Sequence, residues 1–364
     1  MPPLSPATIR GVIPLILDVD TGIDDAMALL YAAASPDAEL IAVTCVGGNV
    51  DAGQVEHNTR AVLELAGRPD VEVALGRTRP LVRPVETTPE THGPRGLGYA
   101  ALPEPTTALS QRHAADLFIE QAARRPGEIT LVTLGPLTNL AVALLREPAL
   151  PRLLNGWVLM GGAYRSPGNT APTTEWNIQC DPDAAKIAFA AWAESAREHG
   201  HALPTALGLD VTERAKITPD HVVSLARRAG STPDDSIALA RGEDPMLATR
   251  SVASNPIVRF VADALRFYME FHSRYDGFYG AFIHDPFALA AALDPSLIRT
   301  DALAVDVELG GTLTTGETVT DWRRVWGRPP TLNVAVEGDA QTFLDRFVER
   351  VGELAATRRD AAWG

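Results

Sequence analysis

Residues 12–34, VIPLILDVDTGIDDAMALLYAAA, place four aspartates where an apolar strand gives way to an apolar helix. Val12 to Leu17 is almost entirely aliphatic, as expected of a strand covered on both faces in a parallel sheet. Pro14 is tolerable near the start of such a strand. Gly22 lets the chain turn, and Ala26 to Ala34 is rich in the strong helix formers Ala and Leu. Junctions of this kind build the sites at the carboxyl edge of α/β sheets.

Asp18 and Asp20, two residues apart, share one side of the strand. Asp24 and Asp25 follow at the helix N-terminus, where either alone reads equally well as a cap or dipole partner. That reading does not cover all four, because carboxylates converging on a half-buried turn repel one another unless something positive sits among them. No Lys or Arg lies between Arg10 and Arg60. A bound cation answers the repulsion, and an all-oxygen donor set favours a hard ion, Ca²⁺ or Mg²⁺, over zinc. An EF-hand does not fit: counted from Asp18, its fifth and twelfth positions hold Gly22 and Leu29. A haloacid-dehalogenase-type phosphatase with Asp18 as nucleophile matches Asp18-x-Asp20, but Gly22 stands where it wants Thr or Val, and it gives Asp24 and Asp25 no role.

The following pattern continues the α/β theme. Glu39 to Val46, Asp51 to Ala66 and Val71 to Leu75 read as strand, helix, strand, without a G-x-G-x-x-G after the first strand. Residues 76–110 form a long Pro-, Thr- and Gly-rich loop, and loops of that length usually carry function. His92 within it reads, on sequence alone, as a surface histidine. Arg112 to Arg124 is a helix, Glu128 to Thr133 a strand, Leu137 to Arg146 a helix and Gly156 to Met160 a strand. The loop to Cys180 carries Asn169, Glu175, Trp176 and Asn177, a set suited to a polyhydroxyl ligand such as a sugar, although Asn is also common in turns for its own sake. Asp181-Pro182 reads as the cap and first position of the helix ending at His199. Thr205 to Leu209 is a strand and residues 212–255 look helical but polar and broken. Asn255 to Tyr275 is a long amphipathic helix leading into Tyr275, Phe278 and Tyr279, then His284-Asp285-Pro286, which suits a capped helix start as well as a site. Residues 301–338 read as short strands that extend the sheet or form a hairpin on it, and Asp339 to Leu354 as a closing helix.

Without repeat, low-complexity segment or linker, residues 1–364 read as one domain. The formal charge of −14, with no offsetting basic cluster, argues against nucleic acid or an anionic membrane as partner. Two cysteines are no disulfide framework and fit a reducing cytosol. The first 17 residues lack the features of a signal peptide, and no apolar run is long enough to span a membrane. The expected location is cytoplasmic.

The arrangement D-V-D-T-G-I-D-D at 18–25 resembles the nucleoside hydrolase family of inosine–uridine type. So do G-N at 48–49, L-G-P-L-T-N at 134–139, L-M-G-G at 159–162, the spaced Asn169, Glu175 and Asn177, and H-D-P at 284–286, all in the family's order. The resemblance implies a Rossmann-like α/β fold, a mostly parallel central sheet flanked by helices, assembled as a homodimer or homotetramer. It implies hydrolysis of the N-glycosidic bond of a small-molecule ribonucleoside to ribose and free base. By it, Ca²⁺ would be held by Asp20, Asp25, Asp285 and the carbonyl of Leu134, with water and the ribose diol completing its surroundings. Ribose would be held by Asp24, Asn49, Asn169, Glu175 and Asn177, with Met160 lining the pocket and Asp18 supporting it from outside. Asp20 would be the general base on the calcium-bound water. His284 is the candidate donor to the departing base and His92 a second. Trp176, Tyr275, Phe278 and Tyr279 are candidates to surround the base, Trp176 and Tyr279 foremost. A calcium-dependent nucleoside-binding protein without turnover would use the same residues. His284 and the absence of an obvious tryptophan sandwich favour a broad or pyrimidine-tolerant enzyme. Residues 231–255 exceed the family pattern and have no assigned role.

Overall fold

The protein, seen here in a computed structural model, is described over residues 11–231 and 250–358. Its main sheet contains, in chain order, Ile13–Val19 (β1), Ala38–Cys45 (β2), Glu72–Leu75 (β3), Thr130–Thr133 (β4), Gly156–Met160 (β5), Thr205–Leu207 (β6), Ile298–Leu303 (β7) and Leu332–Gly338 (β8). They lie in the order β3-β2-β1-β4-β5-β6-β8-β7. All neighbours are parallel except the edge pair of β8 with β7. The expected Rossmann-like sheet is therefore present. From β1 the chain winds outward through β2 and β3, then returns to start again with β4 on the other side. Ligand crevices in open α/β sheets form beyond the carboxyl ends of the strands at such a reversal, and the aspartates sit there.

Strand alternation divides the core. Leu15, Leu17 and Val19 pack on one face with Met27, Leu30, Leu265 and Phe343, while Ile16 packs on the other with Leu131, Leu140 and Trp157. Asp18 and Asp20 share the parity of Ile16. The helix Ile23–Ala34 has Asp24 and Asp25 in its first turn, as expected, and the Asp25 carboxylate accepts the Gly22 N–H and caps that turn. It lies against the helix His284–Leu293, which is buried along its whole length.

Both expectations for 301–338 hold together. Leu332–Gly338 enters the main sheet beside β6, and Val305–Val307 forms a hairpin pair with Thr318–Thr320. The 76–110 loop contains a helical turn, Pro89–His92, and His92 is buried rather than on the surface. The broken region after 212 includes a strand Lys216–Ile217 and a helix Pro219–Arg228; its remainder, 232–249, lies outside the described residues. Asp181 accepts the Ala184 N–H at 3.0 Å, with Pro182 at the first helical position, as read from the sequence.

Candidate active site

The L-G-P-L-T-N segment after β4 holds the end of β1 in place. Leu134 N–H donates to the Asp18 carbonyl at 2.7 Å. Asn139 donates from Nδ2 to Asp18 Oδ1 at 2.8 Å and to the Cys45 carbonyl, and its Oδ1 accepts the Arg77 N–H at 2.7 Å. Thr44 of β2 adds a 2.6 Å bond to the same Asp18 oxygen. Asp18 is thus fixed by β2 and by the loop and helix that follow β4, and lies beneath the site rather than in it.

Asp20 and Asp25 form the next layer, both fully buried. Asp20 Oδ2 accepts the Asn49 N–H at 2.8 Å, but its Oδ1 is buried with no hydrogen-bond partner among the described residues. Asp25 accepts from the N–H groups of Asp20 and Gly22 and from Asn49 Nδ2, at 3.1, 2.9 and 3.2 Å. Glycines on both sides make room for Asp20. A Cβ on Gly48 would overlap Asp20 Oδ2, and one on Gly135 would stand 2.8 Å from Oδ1.

Asp285 comes from the other end of the chain, in the first turn of His284–Leu293, and meets the cluster. Asp24, Asp25 and Asp285 each bring an oxygen within 4.8 Å of the others. Oxygens around one Ca²⁺ at 2.3–2.6 Å have about this separation. Asp24, assigned to ribose by resemblance, belongs to this tightest trio, and Asp20 does not. Asp20 nevertheless presses on Asp25, and Asp285 on Asp24, closely enough for each pair to affect the other's ionisation. Burial, followed by mutual repulsion, raises the Asp24 carboxyl to about 8. Burial raises Asp25 to about 6 and Asp18 to about 7, in each case against the hydrogen bonds that favour the ionised form. Asp20 and Asp285 are pushed well up by the same two causes. An orphaned buried carboxylate oxygen, room kept by two glycines and acids driven toward neutrality together fit a cation.

Above the acids lies a cavity of about 490 Å³. Leu134, Met160 and Asn177 meet on its floor, where Asn177 Nδ2 donates to the Leu134 carbonyl at 2.7 Å and leaves that oxygen a second lone pair. Glu175 caps the short helix Trp176–Cys180, accepting from Asn177 and Ile178, and also takes the Gly162 N–H at 3.0 Å. Asn169 Oδ1 accepts the Trp176 N–H at 3.0 Å. Of the residues singled out in the sequence, Asp24, Asn49, His92, Leu134, Met160, Asn169, Glu175, Trp176, Asn177, Tyr275, His284 and Asp285 line this space. Asp20 and Asp25 lie below it. Tyr279 and Phe278 are not among the lining residues; Phe278 instead stacks behind His272, with centroids 5.5 Å apart. The rings that do face the cavity are Tyr268, Phe271 and Tyr275 from the helix Pro256–Tyr275, with Trp176 and Phe282. His272, Asp276 and Glu213 also line it and were not expected. The helix positions 268, 271, 272 and 275 do share one face, but sequence alone does not distinguish a cavity-facing stripe from a core-facing one.

A sequence model of the family described as inosine-uridine preferring nucleoside hydrolase matches residues 15–345. The inosine-uridine preferring nucleoside hydrolase of Leishmania major is 36% identical over 345 residues, covering 93% of this chain and 98% of that one. The pyrimidine-specific ribonucleoside hydrolase RihA of Salmonella gallinarum is 36% identical over 341 residues, with coverage of 93% and 98%. Among solved structures, the purine-preferring ribonucleoside hydrolase from Gardnerella vaginalis superposes with a TM-score of 0.81 at 32% identity, covering 94% of this chain and 99% of that one.

Proposed function

Because the chain belongs to the inosine–uridine preferring nucleoside hydrolase family, and so hydrolyses the N-glycosidic bond of ribonucleosides, we propose that Asp20, Asp25, Asp285 and the Leu134 carbonyl hold Ca²⁺ and that Asp20 takes the proton of the attacking water. The observation that carries this assignment is Asp20 Oδ1, fully buried, without a hydrogen-bond partner among the described residues and kept clear by Gly135, while Gly48 leaves room for Oδ2. A bound divalent cation supplies charge that makes water more acidic and anchors a vicinal diol.

The rest falls to the chain's own side chains. Asp24, Asn49, Asn169, Glu175 and Asn177 bind the ribose, with Met160 beneath it. Glu175, held by three N–H groups, favours the positive charge that develops on the sugar ring as the bond to the base lengthens. Asp20 accepts the water proton as the oxygen adds to C1′, while the electron pair of the C1′–N bond leaves with the base. Trp176, Tyr268, Phe271, Tyr275 and Phe282 offer apolar faces to a planar base. His92, His272 and His284 line the same space.

The relatives named above differ in the bases in their names, so base preference remains this chain's own property; the open, ring-lined cavity favours a broad specificity. The same reading takes residues 1–364 as one domain, in a cytoplasmic homodimer or homotetramer. Among the described residues no helix is long and apolar enough to cross a membrane.

A panel of uridine, cytidine, inosine and adenosine, scored for free ribose with Ca²⁺ or with chelator, tests the proposal. Turnover should require the ion, and Asp20→Asn should abolish turnover while nucleoside binding persists. Full activity in chelator would refute the cation assignment, and near-normal rates for Asp20→Asn would refute its role as base. Saturable binding without product would establish the non-catalytic alternative.

A further inference from the structure

Three histidines face the cavity, and their local bonding gives them different chemistry. His92 Nδ1 accepts the Ile23 N–H at 3.1 Å, so its proton is on Nε2 and its ring caps the N-terminus of the helix Ile23–Ala34. His284 is the first residue of the helix His284–Leu293, and its Nδ1 lies 2.9 Å from Thr212 Oγ1. The single Thr212 hydroxyl proton goes to the Gly208 carbonyl, so Thr212 accepts from His284 Nδ1–H and His284 Nε2 is bare. Both rings sit at helix N-termini, whose dipoles oppose an imidazolium.

His272 differs in each respect. It lies in the last turn of the helix Pro256–Tyr275, where the dipole favours a cation. Its Nδ1 is 2.7 Å from Asp276 Oδ2, one turn on. The carboxylate can only accept there, so Nδ1 carries the proton. Its Nε2 is buried and has no partner among the described residues. The ring stacks on Phe278 and meets Phe282 edge-on at 4.7 Å. A carboxylate that orients an imidazole and stabilises its charged form is the arrangement of hydrolase triads.

We propose that His272, positioned and charge-paired by Asp276, is the group that delivers the proton to the departing base. This rests on the hydrolase reading above. In the step, the C1′–N bond breaks and its electron pair goes to the base nitrogen. The proton on His272 Nε2 moves to the base, either on that nitrogen or on another acceptor of the ring. Water supplies the hydroxyl at C1′, and the proton it loses to Asp20 restores the balance through solvent.

Burial, with Lys216 nearby, lowers the basicity of His272 below the ordinary imidazole value, and Asp276 opposes this without reversing it. The other ionisable groups that face His272 are Lys216 and Glu213 from the segment before Pro219–Arg228, Tyr268 and Tyr275 from its own helix, and the two other histidines.

The test compares a nucleoside with p-nitrophenyl riboside, whose nitrophenolate leaves without a proton. His272→Gln should lower kcat/KM for uridine or inosine by roughly 10²–10⁴-fold, the usual contribution of a general acid, and lower it far less for the nitrophenyl riboside. Asp276 is half-exposed, so Asp276→Asn preserves the test should the histidine variant fail to fold. It should slow nucleosides selectively and move the alkaline limb of their kcat/KM profile to lower pH, because the imidazolium loses its counter-charge. Equal losses on both substrates, or a selective loss in His284→Ala with none in His272→Gln, would overturn the proposal. A wild-type protein inactive on both substrates with Ca²⁺ would overturn the hydrolase reading and this proposal with it.

Discussion

Gly48→Ala tests whether Asp20 works only in its observed position. A Cβ at Gly48 would lie 2.9 Å from Asp20 Cγ and 3.0 Å from its Cβ, and would overlap Oδ2. Carbon atoms rest about 3.5–4.0 Å apart, so Cγ must withdraw by at least roughly 0.6 Å and the oxygen by more. Space on the opposite side is also short, since Oδ1 already faces the backbone of Gly135. The Asn49 N–H, bonded to Oδ2 at 2.8 Å, would lose much of its acceptor. Overpacking of this kind costs about 1–3 kcal/mol of stability. A misplacement of about 1 Å in a reacting group costs about 10²-fold in rate, equivalent to about 2.7 kcal/mol in the barrier. Expected together are a lowered urea midpoint and a kcat/KM for uridine or inosine reduced about 100-fold at saturating Ca²⁺. Gly156→Ala is the control: no atom lies within 4 Å of its Cβ position, and both quantities should stay at wild-type values. A stably folded Gly48→Ala enzyme with wild-type kcat/KM would refute the claim that Asp20 is held to a narrow position.

Asn139→Ala leaves Asp18, the Cys45 carbonyl and the Arg77 N–H without a shared partner. Asp18 keeps its Thr44 bond and the Cys45 carbonyl keeps the Gly76 N–H, so at about 1–3 kcal/mol for the Arg77 N–H left unsatisfied and about 0.5–1.5 for each of the two other bonds lost, urea denaturation should show a loss of at least roughly 2 kcal/mol, and a loss below about 1 would show that these bonds re-form elsewhere. Burial, then the neighbouring Asp276 and Asp210, raises Glu213 to about 7 from an ordinary 4.5. A carboxyl raised in the folded state stabilises below its unfolded value, and that contribution is lost as pH rises through the folded one. The wild type should therefore lose stability between about pH 4.5 and 7 relative to Glu213→Gln, measured as the difference in urea midpoint. Parallel pH curves would contradict the shift.

The crowded acids at 18–25 were legible because charge gives a local signal: four carboxylates with no cation nearby demand a partner. The sheet was legible from alternating apolar strands and helices, and the structure contains every strand read from the sequence. Asp285 was different. It lies 260 residues from Asp25, and no local pattern states that their helices pack side by side; only the family resemblance brought them together. The aromatic helix was seen but its function was not, because Tyr268, Phe271, His272 and Tyr275 repeat at the spacing of an ordinary core face. Tyr279 was singled out from its place in an aromatic loop, but the chain turns so that the preceding helix supplies the rings instead. His92 read as a surface residue because loop composition does not reveal that a loop folds back over a helix N-terminus.

Burying so many carboxylates has a physical logic that follows from the two helices carrying them. Ile23–Ala34 and His284–Leu293 are apolar on nearly every side and pack against each other. Their N-termini meet at the reversal between β1 and β4, so the packing that forms the core also forces Asp24, Asp25 and Asp285 together. The positive ends of both helix dipoles and the N–H groups bonded to Asp25 offset part of the repulsion. They do not offset all of it, since the acids remain driven toward their neutral forms and Asp20 Oδ1 has no partner among the described residues. The remaining repulsion is the part a divalent ion would relieve. The same burial that makes the acids costly would therefore favour a cation there, and hydrophobic packing rather than surface charge places Asp20.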